Sequence, residues 1–171
     1  MSKYITIIQL QESGACLPQR TKFQQTFGDS VEVTVEAALK AALDFDFLWA
    51  AKNLLSEKAQ RKFEIRNKAA WAIFCNSTRL QHERMWETLS PAKQELDRVK
   101  AESHAQYQQA IDRGEKTDWT SYADNEYPAW MTYWKVWDFA TDIFNKSTVE
   151  EKEDYLQAVA VAFAEIYLSI I

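Results

Sequence analysis

Between Ser56 and Ala110 a large apolar or aromatic residue recurs every eleven positions, at Phe63, Phe74, Met85, Leu96 and Tyr107. Four residues before each stands a mostly small one: Ala59, Ala70, Gln81, Ala92 and Ser103. Eleven residues over three turns is about 3.67 per turn, close to the α-helical 3.6. A stripe with that period stays on one face of a nearly straight helix for many turns. The repeat predicts a long helical rod or hairpin and specifies no chemistry of its own. Burying each large member is worth ~1.5–3 kcal/mol, so the bland role of the stripe is a buried seam inside one chain.

Ser90-Pro91 is the only breaker within the repeat. Proline lacks the backbone N–H and restricts the residue before it. The pattern therefore predicts one helix over about 56–89, with Ser56 as its N-cap, and another over about 91–111, capped by Ser90. A single kinked helix is the second possibility. Unbroken, the segment would span roughly 80 Å, too long for a compact domain of this size. Three glycines and three prolines in 171 residues also favour helix.

Before the repeat, residues 1–55 read as a small module of short elements. Tyr4-Ile5-Thr6-Ile7-Ile8 is β-branched and reads as a strand, or as the entry to a short helix capped by Thr6 and ended by Gly14. Val31-Glu32-Val33 alternates and is a partner for that strand. Pro18 suits a first helical turn, and Gly28 a helix stop. Thr34 and Asp44 or Asp46 are N-caps for two further helices.

After the repeat, residues 112–127 read as a polar, aromatic loop. Pro128 then opens a helix with Trp130, Trp134 and Trp137 on one face as core. Thr148-Val149-Glu150-Glu151 fits a capping box for a last apolar helix. The expected architecture is mainly α: a helical bundle with a long central helical hairpin and at most a short two-stranded N-terminal β element. The bundle covers 56–171, and with 1–55 it forms one compact unit.

Charge is unevenly distributed. Residues 1–55 are net −1, residues 56–110 net +3, and residues 111–171, with five cations and twelve carboxylates, net −7. The overall balance of −5 disfavours general nucleic-acid binding by counterion release. A basic partner for the acidic third is expected instead. No run approaches the ~18 apolar residues of a membrane span. The stretch Met1–Ile5 lacks a charged segment followed by a long apolar one, so no signal peptide is expected. Two cysteines without a CxxC pair fit a reducing cytoplasm.

The residues able to carry chemistry have plain structural readings. His82 and His104 lie two repeats apart, share a helical column and read as surface histidines. Neither has ligand spacing around it, so no metal or cofactor is expected. Cys16 and Cys75 read as buried structural thiols. Asp138 and Asp142, spaced i,i+4, read as a solvated face. No catalytic residue is assigned. The candidate partner-binding residues are the aromatic and acidic ones of the loop, Trp119, Tyr122, Asp124, Glu126 and Tyr127, with the carboxylates Glu150, Glu151, Glu153 and Asp154.

Two stretches carry a resemblance. Gly14-Ala15-Cys16 with Phe27-Gly28-Asp29-Ser30-Val31-Glu32-Val33-Thr34, followed by Phe47-Leu48-Trp49-Ala50-Ala51-Lys52-Asn53-Leu54-Leu55-Ser56, resemble a family of uncharacterised bacteriophage and prophage proteins. In that family a similar N-terminal part precedes eleven-residue units with Ala and Tyr at the matching spacing. The likeness covers roughly residues 13–110, and here Gln81 and Ser103 depart from the small column. It implies a mobile-element origin and a site of action in the host cytoplasm, and carries no activity. The function expected is a non-enzymatic protein, monomer or homodimer, that binds a host or phage protein or nucleoprotein complex. An inhibitor of a CRISPR or restriction complex is its concrete form. The alternative is a self-associating structural or assembly protein built on the repeat.

Overall fold

The computed structural model describes residues 3–170. It is mainly α-helical, with eight helices and two short strands among those residues. They form two compact units, residues 1–77 with 149–171 and residues 78–148.

The first unit begins with β1 (Tyr4–Thr6), which pairs antiparallel with β2 (Ser30–Glu32), Tyr4 opposite Glu32 and Thr6 opposite Ser30. Both readings of the N-terminal segment hold. The strand ends at Thr6, whose hydroxyl accepts from the Gln9 amide and caps α1 (Ile7–Glu12). Next comes α2 (Leu17–Phe27), with Pro18 in its first turn. Gly28 stops it at φ +75°, a conformation that side chains with a Cβ rarely adopt. Thr34 caps α3 (Val35–Ala41) through the Ala37 amide, and Asp46 caps α4 (Phe47–Leu54) through the Trp49 amide. The long α5 (Glu57–Ser77) and α8 (Val149–Leu168) pack on each other, and α3 and α4 also pack on α8. The core joins Leu10, Phe23, Phe47, Leu54 and Phe63 to Val159, Phe163, Ile166 and Tyr167.

The second unit is a helical hairpin of α6 (Arg79–Asp112) and α7 (Trp119–Ser147). It turns between Arg113 and Asp118, where Gly114 adopts φ +71°. Leu89, Leu96, Ser103 and Ala110 of α6 are buried, as is Ala140 of α7.

The repeat faces inward. Phe63 and Leu96 are 4% and 2% exposed, Ala59 and Ser103 are buried, and Phe74, Met85 and Tyr107 are half-buried. Its two halves do not close on each other at Pro91, as the sequence led us to expect. Pro91 lies inside α6, Ser90 caps nothing, and the helix break falls at Thr78. The α5 half packs on α8 and the α6 half on α7. Apolar burial along an uninterrupted stripe outweighs the one amide that proline withholds.

Two further expectations change. Asp118 accepts from the Thr120 amide and starts α7, so residues 119–127 are helical and Pro128 sits within that helix. The Thr148 hydroxyl donates back to the Phe144 carbonyl at the end of α7. No helix among the described residues is long and apolar enough to cross a membrane.

Candidate functional site

The acidic residues of the last helix sit in its first turns, where the helix dipole favours negative charge. Glu150 and Asp154 are exposed, and Glu151 and Glu153 are half-buried. None of the four has an ion-pair partner among the described residues, whereas Glu165, further along α8, pairs with Arg66. Glu151 and Asp154 border an open groove of about 540 Å³ between α5 and α8. Its apolar lining includes Ala70, Ile73, Phe74, Ala158 and Val161.

Tyr155 organises one wall of that groove. Its hydroxyl donates to Asn67 Oδ1 at 2.9 Å. Its ring meets Trp71 edge-on at 5.4 Å and Phe74 at 5.7 Å. Burial pushes the Tyr155 phenol above its usual range, with a smaller contribution from Cys75. Ile73, 71% exposed, stands at the rim. The arrangement offers an apolar trough with negative charge at its border. That chemistry fits an apolar side chain flanked by a cation.

The aromatic candidates lie on the second unit. Trp119 and Tyr122 both pack edge-on against Tyr107, at 5.1 and 5.6 Å. Asp124 and Tyr127 are exposed, but Glu126 is turned inward at 8% exposure and is not part of the surface. Helix α7 has a single helical partner in its unit, α6, so its covered face is narrow. Trp130 and Trp137, expected in the core, are therefore half-buried, and Trp134 is half exposed.

The remaining candidates divide between expectation and correction. Both histidines are exposed: His82 accepts from the Trp86 indole at 3.2 Å, and His104 meets the Trp119 ring at 6.3 Å. Cys16 and Cys75 are exposed free thiols, not buried ones. Asp138 and Asp142 are exposed, and Asp142 accepts from Lys146 at 2.7 Å. Among the described residues no group of three or more His, Cys, Asp or Glu is arranged to hold a metal ion.

The groove was missed in the sequence because Ala70 and Phe74 belong to the repeat and read as core. One signal was available: Trp71 and Ile73 flank that stripe and are too large for a solvated face. No protein-family profile, no curated protein and no solved structure matches the chain.

Proposed function

We propose that the protein binds another macromolecule and acts by occluding its surface, without chemistry of its own. The observation that carries this reading is the set of four carboxylates without an ion-pair partner among the described residues, Glu150, Glu151, Glu153 and Asp154, two of which, Glu151 and Asp154, border the apolar groove of α5 and α8. Carboxylates left without internal partners steer a cationic surface, and the trough beside them accepts an apolar anchor from it. In this reading, taken from the resemblance to phage proteins, the partner is a component of an infected host cell. A CRISPR or restriction complex, whose nucleic-acid channel is basic, is the concrete form of such a partner.

The test is capture of host proteins on the immobilised full chain, followed by an affinity measurement with the captured partner. Replacing Glu150, Glu151, Glu153 and Asp154 together by Lys should weaken binding by about 100-fold or more while the helical circular dichroism is retained. Unchanged affinity in a folded variant would refute the reading.

A further inference from the structure

The α6–α7 hairpin leaves one broad face uncovered. On α6, Trp86, Lys93, Lys100, His104 and Ile111 fall at helical spacing along one edge. On α7, Tyr127, Trp130, Trp134 and Asp138 do the same. Two contacts put these edges on the same side of the hairpin. The Lys100 ammonium sits 5.1 Å from the Trp130 ring centre, and His104 packs against Trp119. Trp130 and Trp134 stack on each other, so the α7 edge is a continuous aromatic strip. Tyr127 is 64% exposed, Trp134 50% and Trp86 46%.

We infer that this face is covered by the same face of a second copy of the chain, giving a two-fold symmetric four-helix bundle. Area is the first argument. At about 150–250 Å² per aromatic side chain, the open parts of Trp86, Trp119, Tyr127 and Trp134 expose roughly 400 Å². Met131, Ile111 and the stems of Lys93 and Lys100 bring the face towards the ~800 Å² that each partner of a standard interface buries. A two-helix layer has no means of covering such a strip, and a second hairpin completes the bundle geometry.

Charge is the second argument. The cations, Lys93 and Lys100, lie on the α6 edge, and the carboxylate Asp138 lies on the α7 edge. The contacts Lys100–Trp130, Tyr107–Tyr122 and His82–Phe144 fix the level of one helix against the other. A two-fold axis parallel to the helices preserves those levels and lays α6 of one copy over α7 of its partner. Lys93 then meets Asp138 across the interface twice, exchanging its exposed i,i+4 pair with Asp97 for that contact. A nucleic-acid strand would also stack on the tryptophans. Asp138 and Asp97 on the face and the net −7 of residues 111–171 oppose it.

The experiment is sedimentation equilibrium of the full chain up to about 100 µM. A dimer is expected. Trp134→Glu and, separately, Tyr127→Glu should raise its dissociation constant by about 100-fold with unchanged circular dichroism, because each change strikes the interface twice. Lys93→Glu should weaken the dimer, and Lys93→Glu with Asp138→Lys should restore it. A wild-type chain that stays monomeric at the highest concentration overturns the inference. So does a dimer indifferent to both aromatic changes, or a monomer whose tryptophan fluorescence is quenched by a single-stranded oligonucleotide. Glu150, Glu151, Glu153 and Asp154 are untouched in these variants, so failure here is distinct from failure of the proposed occlusion.

Discussion

Phe63 and Ile65 stand two residues apart on α5, and the structure assigns them opposite fates. Phe63 is 4% exposed in the core, and Ile65 is 70% exposed. Truncating Phe63 to Ala removes a buried ring at the α5–α8 contact. Phe→Ala changes in cores cost ~3–5 kcal/mol, and a closely packed helical seam puts this one at about 4 kcal/mol. Ile65→Ala removes a side chain of which less than a third is covered. Full burial of Ile is worth ~1.5–3 kcal/mol, so the covered part contributes about 0.7 kcal/mol. Alanine's better helix propensity returns roughly 0.4 kcal/mol, leaving a net loss of about 0.3 kcal/mol. Urea unfolding followed by circular dichroism reads the difference. With a slope of about 2 kcal/mol per molar, Phe63→Ala lowers the midpoint by about 2 M and Ile65→Ala by less than about 0.3 M. Comparable losses at the two sites, or a Phe63→Ala cost under about 1 kcal/mol, would refute the inward placement of the repeat.

Gln81 occupies the small column of the repeat, and its buried Oε1 lacks a hydrogen-bond partner among the described residues. Gln81→Ala should therefore be neutral or stabilise by up to about 1 kcal/mol in the same assay. Thr34→Ala removes the cap on the Ala37 amide and should cost about 1 kcal/mol, while Thr34→Ser should retain most of it. Burial raises the phenols of Tyr155 and Tyr167 above their ordinary value. A folded-state value above the unfolded one means the contribution to stability is complete below about pH 10 and is lost as pH rises through the folded values. Thermal melts above pH 10 should fall in step with the tyrosinate absorbance of these residues, and Tyr155→Phe should remove its share of the fall.

The inward stripe was legible because apolar spacing is a local signal repeated many times, from Ala59 and Phe63 through to Leu96 and Ser103. The caps at Thr6, Thr34 and Asp46 and the stop at Gly28 were legible for a different reason: each satisfies or ends a helix through its own side chain or backbone conformation. The breaks were not. Thr78 carries no proline or glycine signal, and the break there separates the stretch that packs on α8 from the stretch that packs on α7. Pro91 and Pro128 have the opposite character: strong local breakers overruled by burial on either side. The start of α7 was misread because Asp124, Asn125 and Pro128 look like loop residues. The spacing of Trp119, Tyr122 and Glu126 already carried a helical period. Exposure of the tryptophans was illegible in principle, since one helical face reads the same whether one helix or three cover it.

Those two internal prolines have a mechanical consequence. Each deprives the carbonyl four residues back, Glu87 in α6 and Asp124 in α7, of the amide it would otherwise meet. A helix loaded in bending gives way where a rung is missing, before any intact turn yields. Each arm of the hairpin thus carries one turn with a missing rung, placed by covalent structure. Any bending load on the hairpin is taken up first at those two turns.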